Sequence, residues 1–398
     1  MKQKVPVGGL HFGMYVAELD RPWTETPFTF QGFVLRSPQQ LDALKKYCTF
    51  VWVDFDRSET VGRMPAAAPL DLSGTGKVKH REQLPVEHEF AKAAEAHKTG
   101  ESVMVDLLGA LRAGRTLDAA RVSEAVNGLT DSVLRNPDAM LLFTQLKSKD
   151  DYTQSHALDV SVYMMAFGRF LEMSRQDIAL LGHLGLLQDI GKTRLPDALL
   201  AKRERLSQEE IAAVRQHVEH SVEILRKTEG LPPALADLAG LHHERLDGSG
   251  YPRGLKGNQV GLLGSIAGLV DVFDALTARR PYAEPMAPSM ALSTVYKWRG
   301  SLFDASLVEQ FIRCIGIFPV GSVVELDTGE IGIVIAQNLE KRLQPRIMLF
   351  RDAEQKPIKP EKLVDLARAQ GPGGHPYRIR KTLEYGRVTV NADSIFRF

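Results

Sequence analysis

The sequence predicts a multidomain, mainly α protein: a helical core flanked by a small β-rich N-terminal module and a small β module at the C-terminal end. Three observations lead to this fold class. The chain has 398 residues, two to three times the length of a typical domain. Helical spacing of apolar residues extends from about residue 86 to residue 315, apart from a Gly-rich loop at residues 247–257. Short strand-like runs, separated by Pro and Gly, lie on both sides of this core.

Composition excludes several classes of protein. The chain is 44% hydrophobic and 25% charged, which is typical of globular proteins and not of disordered or fibrous ones. Its 50 Lys and Arg residues balance 49 Asp and Glu residues, so net charge does not favour binding to nucleic acid or to a membrane. The two cysteines cannot form a disulfide framework. Neither a signal peptide nor an apolar run of membrane-spanning length is present, and we expect a cytoplasmic protein.

The N-terminal module is predicted to comprise residues 1–62. Its strand-like runs are residues 13–16, 28–30, 33–35 and 50–54. A helix is predicted after Ser37, which has the residue type of an N-cap and precedes a proline at the first helical position. Residues 63–85 lose periodicity and collect Pro, Ala, Gly, Ser and basic residues, which predicts a flexible linker.

The remaining chain divides into three predicted parts. Residues 86–136 form a helical connector, with Val103, Leu107, Leu108 and Leu111 on one face. The pair Asn136-Pro137 is expected to break the helix, and residues 137–315 form the central helical domain. Residues 316–398 form the C-terminal β module. Within it, strands at 322–326 and 331–336 flank a hairpin turn, and a third strand covers residues 345–350.

Histidines concentrate in the central helical domain. A single histidine in a helix is most often structural, but several His and Asp residues spread over different helices can point toward one position and bind metal. Six of the eleven histidines lie between residues 150 and 280: His156, His183, His217, His220, His242 and His243.

Short sequence motifs around these histidines form a longer pattern. It consists of QDIGK at residues 188–192, His217, HHERLDGSGYP at 242–252, DVFDALT at 271–277 and RPY at 280–282. This pattern resembles the HD-GYP family, a branch of the HD metal-dependent phosphohydrolases, over roughly residues 140–315. The resemblance implies an all-helical HD-type bundle. The N-terminal module resembles the uncharacterised domain that often precedes HD-GYP domains in bacteria.

The resemblance implies a dinuclear metal site. The residues that match the family's ligands are His156, Asp189, His217, His242, His243 and Asp271. Two divalent transition-metal ions are expected, and Fe, Mn, Ni and Zn all suit imidazole and carboxylate ligands. A bridging carboxylate holds the ions close, and water activated between them attacks phosphorus. Asp189 and Lys192 are the predicted catalytic residues, with Lys192 neutralising charge on the phosphate.

One ligand of the family is replaced. Gln188 stands where the family has the name-giving His before Asp189. A glutamine oxygen is a neutral and weak donor, so one of the two metal positions is expected to be weak or empty. His183 lies five residues earlier, about 140° around a helix, and is a poor substitute for the missing imidazole.

The predicted substrate-binding residues are Arg245, Tyr251 and Arg280. In the family, the Gly-rich loop lies beside the active site and is proposed to contact diguanylate cyclases. The Tyr251 ring offers a surface for guanine stacking or for packing of the loop. Arg245 either faces phosphate or forms an ion pair, and the sequence does not decide between these roles.

Two functions remain open at this point. The resemblance implies a phosphodiesterase that opens cyclic di-GMP to linear pGpG, with further cleavage to GMP left open. Gln188 favours the alternative, a degenerate domain that acts as a cyclic di-GMP sensor or protein-interaction scaffold. Hydrolysis of another nucleotide is disfavoured by the Gly-Tyr-Pro loop. Cyclic di-GMP and diguanylate cyclases are the expected partners.

Overall fold

The structure is a computed structural model that describes residues 2–7, 10, 14–28, 32–35, 37–54, 77–146, 152–202, 204–278 and 285–383. It confirms the predicted fold class, since the helical part of the chain is preceded and followed in sequence by a small antiparallel sheet. No helix in these ranges is long and apolar enough to cross a membrane.

The N-terminal module is a four-stranded antiparallel sheet packed against one helix. The strand order is β1-β4-β2-β3. Its elements are β1 (Lys2–Pro6), β2 (Tyr15–Leu19), β3 (Phe33–Val34), α1 (Pro38–Tyr47) and β4 (Phe50–Asp54). The predicted cap of α1 is confirmed, because the Ser37 hydroxyl accepts from the Gln40 amide and the Gln40 side chain accepts from the Ser37 amide. Strand β1 was not predicted, since its sequence alternates polar residues with only one large apolar side chain.

The helical body contains the largest apolar core of the molecule. Its helices are α2 (Val86–Arg112), α3 (Ala119–Arg135), α4 (Pro137–Leu146), α5 (Tyr152–Phe170), α6 (Arg175–Leu187), α7 (Asp197–Leu200), α8 (Gln208–Arg215), α9 (His217–Arg226), α10 (Leu235–Ala239), α11 (Gly261–Thr277), α12 (Pro288–Lys297) and α13 (Ala305–Ile315). The break at Asn136-Pro137 is confirmed, and the Asn136 side chain caps α4 by accepting from the Asp138 amide. Helices α5 and α6 approach closely at Gly185, where a Cβ would lie 2.5 Å from the Ser161 Cα.

The C-terminal module is a five-stranded antiparallel sheet of order β8-β7-β6-β5-β9. Its strands are β5 (Val323–Leu326), β6 (Ile331–Ala336), β7 (Arg346–Arg351), β8 (Pro357–Asp365) and β9 (Ile379–Thr382). The predicted β5–β6 hairpin is confirmed by antiparallel pairing of Val323 with Ile333.

This sheet shares its core with the helices. Strand β6 is buried along its whole length: Ile333 and Ile335 belong to the core of the helical body, whereas Val334 faces the core of the sheet itself. A hydrogen bond of 2.8 Å from the Gln337 amide to the buried Asp138 carboxylate also joins the two parts. The C-terminal module is therefore packed against the bundle as part of one apolar core.

The predicted linker is described only in part. Residues 63–76 lie outside the described ranges. Beyond them, the Val78 amide donates to the Glu172 carbonyl at 2.7 Å and the Gln83 amide donates to the Arg135 carbonyl at 3.0 Å. The end of this segment is thus held against the helical body. The domain boundaries assigned from the sequence stay predictions.

Candidate metal centre

Five elements of the helical body bring the six predicted ligands together. The ligand atoms form two groups, and the atoms within each group lie within 4.8 Å of one another. The first group is Asp189, His217, His242 and His243, and the second is His156, Asp189 and Asp271. His156 lies on α5, Asp189 follows α6, His217 begins α9, the His pair follows α10, and Asp271 lies on α11.

In the first group, backbone carbonyls orient two imidazoles. His217 Nδ1 lies 2.6 Å from the Val214 carbonyl oxygen, and His242 Nδ1 lies 2.6 Å from that of Ala239. Since a carbonyl can only accept, each Nδ1 carries the proton. The Nε2 atom on the opposite side of each ring is left to face the centre.

The two Nε2 atoms converge on the Asp189 carboxylate. His217 Nε2 lies 3.1 Å and His242 Nε2 lies 3.6 Å from Asp189 Oδ1, and the two Nε2 atoms are 3.4 Å apart. Asp189 Oδ1 is buried and has no hydrogen-bond partner among the described residues. Two imidazole nitrogens and one carboxylate oxygen that approach one position are ligand types that together fit a cation.

The second group uses the other oxygen of Asp189. His156 Nε2 lies 3.5 Å from Asp189 Oδ2 and 3.2 Å from Asp271 Oδ1. On the opposite side of the ring, His156 Nδ1 lies 2.7 Å from Asp274 Oδ2. Asp274 thus orients the imidazole, as carboxylates do behind many metal-bound histidines. Sequence reasoning missed this role, although Asp274 lies one helical turn after Asp271.

Gln188 lies beside the second group and is buried. Its Nε2 donates to Asp271 Oδ1 at 3.3 Å, and its Oε1 is buried without a hydrogen-bond partner among the described residues. The amide therefore stands where an imidazole would extend the ligand set. His183 does not replace it, because its Nδ1 lies 2.8 Å from the Ala179 carbonyl and its Nε2 lies 3.2 Å from the Ser123 hydroxyl.

The backbone at Gly191 explains how Asp189 reaches α9. A Cβ at this position would overlap the His217 carbonyl oxygen and the Ser221 amide nitrogen. The Gly191 amide donates to the Ser221 hydroxyl at 2.8 Å. Only glycine permits this approach of the Asp189 turn to the start of α9.

Glu244 holds the Gly-rich loop against the centre. Its buried carboxylate accepts from the amides of Arg253 at 2.8 Å and Leu255 at 2.9 Å. The Tyr251 amide also donates to the His243 carbonyl at 3.1 Å. Glu244 belongs to the motif at residues 242–252, but residue spacing does not reveal that its carboxylate is buried and holds the loop.

The Tyr251 ring packs directly on a predicted ligand. It stacks on His243 with ring centroids 4.6 Å apart and planes at 30°, and the Arg215 guanidinium carbon lies 4.7 Å from the Tyr251 ring centroid. The ring therefore already has packing partners within the protein. Arg215 had no signal in the sequence analysis, since a basic residue two positions before a histidine is unremarkable.

Two other predicted substrate contacts have different outcomes. The Arg245 Nη1 donates to the carbonyls of His242 at 3.1 Å and Glu244 at 2.7 Å, and the guanidinium lies over the Phe303 ring. These contacts bind it to its own segment, which neither of the two roles considered from the sequence anticipated. Arg280 lies outside the described residues.

At Asp189 and His243, the surroundings favour the protonation states that metal binding needs. Burial alone would raise the pKa of Asp189, but Lys192, whose Nζ lies 2.7 Å from Asp189 Oδ2, and the surrounding imidazoles hold it well below its usual value. Burial, together with neighbouring His242, lowers the pKa of His243 well below the usual value for histidine. Asp189 is thus anionic and His243 neutral, as ligands must be.

Comparison with known families divides the chain into three regions. A profile described as HD domain matches residues 140–307, one described as a domain of unknown function matches residues 2–122, and one described as KOW domain associated with HD domain matches residues 323–370. The second of these matches continues past the predicted module boundary at residue 62 and into α3.

Individual relatives are phosphodiesterases by name. The cyclic di-GMP phosphodiesterase PA4108 of Pseudomonas aeruginosa is 33% identical over 384 residues, which is 93% of this chain and 90% of that protein. The 3'3'-cGAMP-specific phosphodiesterase 3 of Vibrio cholerae is 36% identical over 172 residues, covering 43% of this chain and 37% of that protein. The cyclic di-GMP phosphodiesterase response regulator RpfG of Xanthomonas campestris is 36% identical over 144 residues, covering 36% of this chain and 38% of that protein.

Proposed function

Because the chain belongs to the HD-GYP family of HD-domain proteins, we propose that it is a metal-dependent phosphodiesterase that hydrolyses cyclic di-GMP to linear pGpG. The observation that carries the proposal is the convergence of His217 Nε2, His242 Nε2 and the orphaned Asp189 Oδ1. The similarity to a cyclic di-GMP phosphodiesterase over nearly the whole chain supports the choice of substrate.

The two groups would hold two divalent transition-metal ions. His217, His242, His243 and one oxygen of Asp189 would hold the first, and His156, Asp271 and the other oxygen of Asp189 would hold the second. Such ions polarise phosphoryl oxygens and activate water for attack on phosphorus. The mixture of imidazole and carboxylate suits Fe, Mn, Ni or Zn.

The second ion is expected to bind more weakly than the first. Its group offers one imidazole and two carboxylates, whereas the first offers three imidazoles and one carboxylate. Gln188 would contribute its carbonyl oxygen, whose lack of a hydrogen-bond partner among the described residues fits a weak ligand.

The protein's own groups prepare the substrate phosphate. The Lys192 ammonium is partly exposed and lies 2.7 Å from Asp189 Oδ2, so it can reach a phosphoryl oxygen beside the second group and offset its growing negative charge. Tyr251 would line the entrance, and Arg245 would keep the His pair and the loop in place. Arg280 stays a predicted phosphate contact.

A second function is favoured by Gln188 alone. If the amide lowers the second ion's affinity far enough, the domain would bind cyclic di-GMP without turnover and serve as a sensor or scaffold. A diguanylate cyclase would be its protein partner, docked at the Gly-rich loop.

Metal analysis and turnover test the proposal together. Metal would be removed from the protein with a chelator, and the protein would then be reloaded with Mn²⁺, Fe²⁺, Ni²⁺ or Zn²⁺. Cleavage of cyclic di-GMP and 3'3'-cGAMP would be followed by chromatography, which separates pGpG from GMP. We expect cleavage of cyclic di-GMP that is lost in His217→Ala. Tight nucleotide binding without cleavage in the presence of any of these metals would support the second function. The absence of both binding and cleavage would exclude the two functions.

A further inference from the structure

Arg215 lies at the outer end of a stack that begins at the metal centre. It is the last residue of α8, two positions before His217. The stack passes from the His243 ring to the Tyr251 ring at 4.6 Å and from that ring to the Arg215 guanidinium carbon at 4.7 Å. A positive charge is therefore held two contacts away from a predicted metal ligand.

The Arg215 guanidinium differs from the basic side chains around it because it forms no ion pair with a described carboxylate. Arg194 and Arg226 pair with Glu223 and Asp237 at 2.6 and 2.8 Å, and the Lys192 ammonium faces Asp189. Arg215 is exposed, and among the described residues no carboxylate lies within 4.0 Å of its guanidinium. Stacking on an aromatic ring restrains a guanidinium while its N–H groups stay free to donate at the edge.

The substrate supplies the matching chemistry. A cyclic dinucleotide carries two phosphodiesters, and when one lies at the metal centre the other lies farther out. Building on the phosphodiesterase function proposed above, we infer that Arg215 is a substrate-binding residue that donates hydrogen bonds to this second, uncleaved phosphodiester. The planar fork of arginine fits two oxygens of one phosphate, and the contact distinguishes a cyclic dinucleotide from a simple diester.

Two substrates separate this role from a structural one. Cyclic di-GMP has a second phosphodiester, whereas bis(p-nitrophenyl) phosphate has only the one that is cleaved. We expect Arg215→Gln to raise KM for cyclic di-GMP roughly 10- to 100-fold with little change in kcat, and to leave cleavage of bis(p-nitrophenyl) phosphate unchanged. Arg215→Lys should recover part of the loss. Arg226→Gln, which removes a paired arginine on the next helix, should behave as wild type.

Several outcomes would overturn the inference. An unchanged KM for cyclic di-GMP would show that Arg215 does not contact the substrate. Equal loss on both substrates would show that it only supports Tyr251 and His243. Competition by cyclic di-AMP, which has the same phosphates and different bases, should weaken equally in Arg215→Gln; weakening confined to cyclic di-GMP would mean that Arg215 binds guanine.

Failure of the proposed phosphodiesterase function can be distinguished from failure of the inference about Arg215. If the wild-type protein cleaves neither substrate, calorimetry still compares cyclic di-GMP binding by the wild type and by Arg215→Gln. A weaker variant supports the role of Arg215 in a protein that only binds nucleotide. Equal affinities, or no binding by the wild type, contradict it.

Discussion

His156 on α5 and Asp274 on α11 are joined by a 2.7 Å contact between the imidazole Nδ1 and the carboxylate Oδ2. Both side chains are buried. Burial would lower the pKa of His156, but the carboxylates of Asp189, Asp271 and Asp274 raise it well above the usual value. The contact directs the opposite nitrogen, Nε2, toward Asp189 and Asp271. Asp274, which belongs to neither ligand group, thereby fixes the orientation of the proposed metal ligand His156.

Replacing Asp274 should weaken the second metal group without affecting the first. Loss of such an orienting carboxylate typically lowers metal affinity roughly 10- to 100-fold. We expect Asp274→Ala to retain one tightly bound ion and to lose most of the second, with Asp274→Asn intermediate because its amide oxygen still accepts from Nδ1. Metal content after dialysis measures both. Asp237→Asn, at an exposed carboxylate, is the control, and full retention by Asp274→Ala would refute the role.

Gln188→His restores an imidazole at the position where the family carries one. We expect the second ion to bind at least ~10-fold more tightly and the turnover of cyclic di-GMP to rise. Titration of the chelated protein with Mn²⁺ and a turnover assay measure the two effects. Gln188→Leu, which fills a similar volume without a donor atom, should lose whatever binding the Oε1 atom supplies. Identical metal affinity in all three proteins would show that this position does not limit the site.

Four of the six metal ligands could be anticipated from short motifs. Asp189, His242, His243 and Asp271 each lie within such a motif, and the structure brings them into the two ligand groups. Their supporting contacts could not be anticipated in the same way. Whether Arg245 bonds to a phosphate or to the carbonyl of His242 depends on how the chain turns after α10, and no local pattern encodes that turn.

The same distinction holds for the fold. Helix α1 and the β5–β6 hairpin follow from local chemistry, a Ser-Pro cap and a polar turn between apolar runs. The sharing of β6 between two apolar cores does not follow from local chemistry. Its uninterrupted apolar sequence, residues 331–336, is consistent with burial on both faces, but the identity of the covering helices depends on contacts between distant residues such as Asp138 and Gln337.

Metal binding should stabilise the folded protein as well as support its activity. An ion at 100 times its dissociation constant adds about 2.7 kcal/mol to the free energy of unfolding, enough to raise Tm by roughly 5 °C or more in a domain of this size. We expect Mn²⁺ or Zn²⁺ to produce such a shift in chelated wild-type protein and His217→Ala to lose it. His220→Ala, one turn further along α9, should keep it. A metal response that survives in His217→Ala would place the stabilising ion elsewhere.

Gly191→Ala should damage the junction that places Asp189 against α9. The new Cβ would meet backbone atoms of His217 and Ser221, which cannot rotate away as a side chain can. We expect a loss of roughly 1–3 kcal/mol in the free energy of unfolding and reduced metal affinity. Gly128→Ala in α3 is the matched control, because its Cβ meets nothing within 4 Å and alanine favours a helix. Equal stability of the two variants in urea would contradict the proposed close approach.

Asp138 should make the junction between helices and C-terminal sheet sensitive to pH. Burial raises the pKa of Asp138 from 3.8 to about 7, against the opposing hydrogen bond from the Gln337 amide and the charges of Arg169 and Arg346. Between these pH values the folded protein holds a proton that the unfolded chain has released. This contribution to stability is therefore full at low pH and is lost as pH rises toward 7, by up to about 4 kcal/mol.

Asp138→Asn isolates this contribution, since the amide keeps an oxygen for the Gln337 amide but cannot ionise. Other titrating groups act equally in both proteins, so the difference between their free energies of unfolding reports Asp138 alone. Because the loss begins near pH 4, we expect the variant to be modestly more stable than the wild type in urea at pH 5, and this difference to grow by about 3 kcal/mol by pH 8. Asp237→Asn, at an exposed carboxylate, should follow the wild type throughout. Parallel pH profiles for Asp138→Asn and wild type would show that Asp138 ionises normally in the folded protein.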